Sequence, residues 1–245
     1  KKILKIKKLS LKISKNQFIP FYRLKIRLKK EIVTLGDKLI KPEKVSGKHI
    51  HPRDWDKIIN DKNYLIIDTR NNYEVNIGTF KNSFNSNMKS FRDFPKYIKD
   101  LNMNKKQPVA MFCTGGIRCE KASSYLINNG FKNVSQLDGG VLNYLEYSKN
   151  KKINTWIGEC FVFDNRVSVD KNLNKGSYDQ CYGCRHPITE NDKKLNSYIK
   201  GASCKYCIKE KTKEKLDSSL IRQEQIDLAE KRKESHSFQK IFSIK

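Results

Sequence analysis

Pro108-Val-Ala-Met-Phe-Cys-Thr-Gly-Gly-Ile-Arg-Cys119 is the stretch on which the fold turns. Val109 to Phe112 is a short apolar run, the pattern of a strand buried on both faces. It leads straight into Cys113, Thr114, Gly115, Gly116, Ile117 and Arg118. From Cys119 onward Ala122, Tyr125 and Leu126 recur at helical intervals, and Gly130 suits a C-cap. Cys113 therefore sits where a strand gives way to a helix. A thiol placed there faces the first N–H groups of the helix, which have no intrahelical partners, and the positive end of the helix dipole. Gly115 and Gly116 let backbone amides curl around one point without Cβ clashes. Arg118 adds a fixed cation. Each feature favours the thiolate of Cys113. The plainer alternative is a buried cysteine at a strand end, with the glycines serving only as a turn.

The same alternation extends outward. His51 to Ile59 reads as a helix entered through Pro52, and Tyr64 to Ile67 as a strand ending in Asp68-Thr-Arg70. A helix is expected from Phe91 to about Leu101. Val134 to Leu137 reads as a strand ending at Asp138-Gly-Gly140, with a last helix over Val141 to Tyr147. Short connections between alternating strands and helices predict an α/β fold, a parallel sheet covered on both faces. Ligands of such sheets bind at the carboxyl ends of the strands, where Asp68, Cys113 and Asp138 all fall.

The chain has 245 residues, of which 37% are hydrophobic and 31% charged, and its formal net charge is +25. Residues 1–46 hold 15 Lys and Arg against 3 Asp and Glu, so nearly half the excess lies in the first fifth. Such a field attracts polyanions, nucleic acid above all; a general lysine richness with no specific partner is the alternative. Arg23 to Leu28 alternates basic and apolar residues, as in a half-buried strand. Arg23, Lys25, Arg27 and Lys29 are the candidate phosphate contacts. Residues 34–47 read as a linker. No apolar run long enough to cross a membrane and no secretory signal is present. The sequence opens on Lys1, as expected of a chain that begins inside a longer protein.

Seven cysteines, an odd number without a secretion signal, suit reduced thiols and a cytoplasmic setting. Cys160 lies in an apolar patch and reads as packing. Cys181-x2-Cys184 and Cys204-x2-Cys207 form two knuckles separated by 19 residues, a zinc pattern. Four thiolates make a closed structural site, and the metal would order a segment too polar to build its own core. Gly183 and Gly201 suit the knuckle turns; His186 is a competing ligand, and a redox-active thiol cluster is the alternative. The charged stretch from about Lys209 to Lys233 reads as a solvated helix.

Five stretches together resemble the rhodanese-related tRNA uridine hydroxylase family. They are the run from Cys113 to Leu126, Asp68-Thr-Arg-Asn-Asn-Tyr-Glu74, Phe91-Arg-Asp-Phe-Pro95, Gln136-Leu-Asp-Gly-Gly140 and Trp156 to Arg166. The resemblance spans roughly residues 18 to 235. It implies a rhodanese domain at 47–148, preceded over 1–46 by a basic remnant of a ferredoxin-like domain with a partial β segment. Residues 149–245 follow as a small four-cysteine module with a charged helical tail. It further implies that tRNA is the partner, that molecular oxygen is the co-substrate for making 5-hydroxyuridine from the wobble uridine, and that Cys113 is the active-site, persulfide-carrying cysteine. Family members carry the whole ferredoxin-like domain, of which only the last part is present here.

Other functions stay open. A sulfurtransferase acting on small donors such as thiosulfate needs only the rhodanese domain. A phosphatase of related fold usually has five residues between its cysteine and arginine; the four between Cys113 and Arg118 make a tighter ring, suited to one sulfur atom. A non-catalytic RNA-binding remnant would not need the intact Cys113 and Arg118. Asp68 is a candidate to orient an arginine or the loop amides, and Arg118 to close the loop by bonding backbone carbonyls. Cys119 is a candidate resolving thiol, or a core residue.

Overall fold

The computed structural model describes residues 20–21, 26–37, 39–149, 151 and 154–232. The chain enters the sheet through β1 (Lys48–Ile50) and turns at His51 into α1 (Pro52–Asn60). Pro52 occupies the start of the helix, where a missing N–H costs nothing. Next come β2 (Leu65–Asp68), the single turn α2 (Asn72–Val75), β3 (Gly78–Phe80) and β4 (Ser83–Asn85). A 3-10 turn at Phe91–Asp93 opens α3 (Phe94–Asp100), and β5 (Val109–Phe112) feeds α4 (Ile117–Asn128). β6 (Val134–Leu137) and α5 (Gly140–Ser148) close the alternation. Five strands form one sheet in the order β1-β6-β5-β2-β4, every pair parallel. This is the α/β architecture expected.

The alternation of side chains across β5 supplies two cores. Val109 and Met111 join Phe94, Tyr125 and Leu126 on the face covered by α3 and α4. Ala110 and Phe112 join Trp55, Tyr144 and Phe80 on the other. Each large side chain so buried contributes about 1.5–3 kcal/mol. Phe80 is the hub of the second core, meeting Phe112 and Tyr144 edge-on at 4.8 Å and Trp156 at 5.0 Å. The expected linker is docked: Leu35 is buried in the first core, and the Gly47 N–H donates to Ser123 Oγ at 2.8 Å.

After the sheet, β7 (Trp156–Gly158) pairs antiparallel with β3, and β8 (Cys160–Phe161) pairs with β9 (Ser168–Val169). Trp156, Cys160, Val162 and Val169 belong to the second core, so this segment covers the parallel sheet although it follows the expected domain. Cys160 is packing, as its neighbours suggest. The hairpin of β10 (Asp179–Gln180) and β11 (Pro187–Ile188) carries the first knuckle, followed by α6 (Glu190–Lys193) and α7 (Lys213–Lys231). Only Ser219 is buried on α7, which makes it the solvated helix expected. Among the described residues no helix is long and apolar enough to cross a membrane.

The N-terminal expectation fares differently. Residues 26–28 carry no strand, and Ile26 and Leu28 are 84% and 102% exposed. Among the described residues nothing covers the apolar side on which a half-buried strand depends. Arg23 and Lys25 lie outside the described residues.

Candidate active site and four-cysteine site

Strand β5 delivers Cys113 to the carboxyl edge of the sheet. Gly116 caps α4 at φ +86°, a left-handed conformation that a side chain would strain. The turn brings the Gly116 N–H to Cys113 Sγ at 3.1 Å, and the N–H groups of Arg118 and Cys119 also reach the sulfur. The carbonyls of the loop point the other way. Cys113 O accepts the Val141 N–H at 2.9 Å, and Thr114 O accepts the Leu142 N–H at 3.1 Å. The first turn of α5 thus takes up the loop's acceptors and leaves its donors aimed at the thiol. Gly140 permits this approach: its φ is +70°, and a Cβ there would lie 2.6 Å from Gly116 N. No local signal marks that role, because the two glycines meet only through the parallel pairing of β5 and β6.

Arg118 does not close the loop through backbone carbonyls. Its guanidinium forks onto the Glu74 carboxylate, Nη1 to Oε2 at 2.6 Å and Nη2 to Oε1 at 2.7 Å. Thr114 Oγ1 donates to the same carboxylate at 3.1 Å. A bidentate charge pair of this kind fixes orientation as well as charge. Glu74 is the residue that sequence reasoning missed. Its spacing from Asn71 is that of a capping box, and its Oε2 accepts the Asn71 N–H at 3.1 Å. That spacing locates the start of α2 but not a partner 44 residues away.

Asp68 does not touch the loop either. It is fully buried against Arg70, accepting from Nε at 2.9 Å and from Nη2 at 2.6 Å, and it also accepts from Thr79 Oγ1 at 2.8 Å. Arg70 in turn donates to Gly78 O at 2.6 Å and to Glu74 O at 3.5 Å. Asp68 therefore acts at one remove, holding the arginine that holds the Glu74 segment. It is a positioning residue, not one in contact with the reacting sulfur. Asp138 lies at the end of β6, but its half-exposed carboxylate faces His49 Nδ1 at 3.4 Å and joins no shared site.

Burial alone would push the Cys113 thiol up. Hydrogen bonding from the Cys119 thiol, the Arg118 charge and the two backbone N–H groups outweigh it and bring the pKa down to about 6. Cys119, buried and next to that developing anion, is held well above the ordinary range; its sulfur lies 3.6 Å from Thr69 Oγ1. For Glu74, burial opposes the charge, but the hydrogen bonds and charge of Arg118 keep the carboxyl lowered. The arrangement favours a thiolate at Cys113 with a neutral thiol at Cys119 beside it. Thr114 is buried at the loop wall, Gly115 is half-buried and Ile117 is 59% exposed at the crest.

The second site is built from the two knuckles. The sulfurs of Cys181, Cys184, Cys204 and Cys207 all lie within 4.8 Å of one another, with Cys184 and Cys204 at 3.7 Å. A tetrahedral zinc with bonds of about 2.3 Å needs sulfurs about 3.8 Å apart, so the four residues fit that ion. Each knuckle is a tight turn: the Arg185 N–H donates to Cys181 O at 2.7 Å and the Cys207 N–H to Cys204 O at 3.0 Å. Gly201 takes φ +72° beside them, and a Cβ on Gly183 would strike Ala202. His186 stays outside the sulfur cluster, its ring between Tyr73 at 5.3 Å and Tyr206 at 4.9 Å. A four-thiolate shell leaves no position for substrate. Arg27 and Lys29 are exposed and distinct from both sites in sequence.

Cys113 thus lies in a loop at the end of the central parallel strand, clasped between the N-termini of α4 and α5. Residues 51–147 match the family described as rhodanese-like domain. Among solved structures, a rhodanese-related protein from Thermoplasma volcanium is 24% identical, with 41% of this chain and 92% of that one covered at a TM-score of 0.35. A rhodanese-like domain protein from Staphylococcus aureus is 24% identical over 40% and 90% of the two chains, TM-score 0.34. A homodimeric polysulfide-sulfur transferase from Wolinella succinogenes is 22% identical over 42% and 75%, TM-score 0.35.

Proposed function

We propose that the chain is a tRNA-modifying enzyme that converts the wobble uridine to 5-hydroxyuridine, with molecular oxygen as oxidant and Cys113 as the reacting thiolate. The observation that carries a reactive role for Cys113 is its cradle: a Gly116 N–H at 3.1 Å on the sulfur and an Arg118 held in place by Glu74. The specific base and reaction are supported by the resemblance of the five quoted stretches. The net charge of +25 suits a polyanionic substrate. In the net reaction C5–H becomes C5–OH. One oxygen atom enters the base, and the other leaves as water with two electrons and two protons from a thiol-class reductant.

A second reading, a sulfurtransferase using small donors, is favoured by the size of the cradle. The Cys113 thiolate attacks the outer sulfur of thiosulfate. A new S–S bond forms, the donor's S–S bond breaks, and sulfite leaves with the electron pair. The loop N–H groups stabilise the resulting persulfide anion.

The two separate in one experiment. The chain is expressed in a strain lacking its own uridine hydroxylase, and 5-hydroxyuridine in tRNA is measured by mass spectrometry, with Cys113→Ser as control. Product from the wild type alone is expected. Equal product from both removes the role of Cys113. Product from neither, with thiosulfate sulfurtransferase activity in vitro, selects the second reading.

A further inference from the structure

The rim of the Cys113 loop carries a ring that packing does not explain. Phe163 is 62% exposed, and the Arg118 guanidinium lies 5.9 Å from its centroid. From it a line of ring contacts runs to the four-cysteine module. Phe163 meets Phe161 at 5.1 Å and Phe161 meets Tyr73 at 5.2 Å. Tyr73 meets His186 at 5.3 Å, and His186 stacks on Tyr206 at 4.9 Å with an interplanar angle of 21°. Burial accounts for the middle of this line, since Phe161 is only 2% exposed. It does not account for the two ends, Phe163 and the 45% exposed Tyr206. Both end rings pack on one neighbouring ring and leave much of their surface open to solvent.

Each end also has a cation at its ring: Arg118 at Phe163, and Lys205 Nζ 4.9 Å from the centroid of Tyr206. Lys205 shares its charge with Asp192 at 2.7 Å, and Arg118 shares its own with Glu74. Residues 178–211 hold seven Lys and Arg against four Asp and Glu, and the chain as a whole carries a formal net charge of +25. Exposed rings on a positively charged protein are how unpaired nucleotides are held: bases stack on the rings and the backbone follows the charge. An apolar protein partner would ask for neither the cations nor the separation of the rings.

Resting on the RNA-directed reading above, we propose that Phe163 is a stacking platform that holds an unpaired base of an RNA segment over the Cys113 loop, the segment running on towards Tyr206. Phe163 selects for a base that is out of its helix, because a paired base presents no free face.

The test uses the full chain and two fluorescein-labelled RNA probes of equal length, an anticodon stem-loop and a fully paired hairpin closed by a minimal linker. Phe163→Ala should weaken stem-loop binding about tenfold and leave the paired probe unchanged. Its salt dependence should keep the wild-type slope, since the lost contact carries no charge. Phe163→Trp should bind as the wild type does, and its fluorescence should be quenched by the stem-loop; the native Trp55 and Trp156 are buried and report little. Unchanged stem-loop binding by Phe163→Ala, equal loss on both probes, or an unquenched Trp would overturn the proposal, as would a wild type that ignores the stem-loop. Thermal melting of each variant guards against misfolding. The outcome is independent of the reaction: Phe163-dependent binding without 5-hydroxyuridine keeps the platform and removes the hydroxylase reading, and the reverse pattern removes the platform alone.

Discussion

Cys113 and Cys204 are both nearly inaccessible, 2% and 0% exposed, yet the groups around their sulfurs are of opposite kinds. The sulfur of Cys113 is met by backbone N–H groups and a neighbouring arginine, so its anion is stabilised while the sulfur stays uncommitted. The sulfur of Cys204 is met by three other cysteines, a set close enough together to hold one ion. Burial does not decide reactivity here; the identity of the surrounding donors does. The supporting cores differ as well. The sheet rests on two large apolar clusters, whereas the small one around Ile188 consists mainly of the cysteines themselves.

Metal removal should break this contrast most visibly. We expect one zinc per chain by elemental analysis. Stripping it with a strong chelator should unfold residues 178–211, read as new protease cuts there, because apparent zinc binding in such modules is worth about 10–16 kcal/mol. Alkylation of Cys113 should persist. A fully metal-free chain with an unchanged cleavage pattern would show the cluster to be held by packing alone.

Replacing Cys113 by Ser should remove activity by at least on the order of 10³-fold, since a hydroxyl in the same cradle stays protonated. Cys119→Ser should retain most of it, because the hydroxyl still donates to the Cys113 anion. The pH dependence sharpens the point. The folded pKa of Cys113, about 6, lies below that of an ordinary thiol near 8.5. Its thiolate therefore stabilises the fold fully above the unfolded value, and that contribution is lost as pH falls through about 6. The iodoacetamide rate at Cys113 should be half-maximal near the same pH. A midpoint near 8.5 would remove the cradle from the explanation.

Glu74→Gln should destabilise by roughly 3–5 kcal/mol in urea unfolding, because it leaves the Arg118 charge buried without its partner. The double change Glu74→Gln with Arg118→Met should recover part of that stability and raise the Cys113 midpoint. The same reasoning separates two strand-end carboxylates. Asp68→Asn strips the charge partner from buried Arg70 and should cost several-fold more stability than Asp138→Asn, which should stay within about 0.5 kcal/mol. Equal effects would mean that Arg70 is satisfied by its backbone contacts alone.

The sequence made the central part of this legible because the signals are local. β5, the glycine turn and α4 follow one another within twenty residues, and each carries its own period. The two knuckles are legible for the same reason. β1 and β4 were not foreseen, since Lys48–Ile50 and Ser83–Asn85 are three-residue edge strands, largely exposed, with no apolar run to read. The clamp of Glu74 on Arg118 and the tuck of Gly140 beneath the loop were hidden because both depend on strand order. Asp68 was placed at the correct edge, but a strand end does not say which arginine a carboxylate will find.

The antiparallel seam between β3 and β7 redraws the unit of inheritance. The family match stops at residue 147, but Trp156 covers Phe80 and lies 5.0 Å from the Arg70 guanidinium. A gene fragment ending at the family boundary would encode a sheet with one wall missing and its buried arginine open to water. A piece of this chain that keeps both walls of the sheet runs on through the β8–β9 pair to Val169.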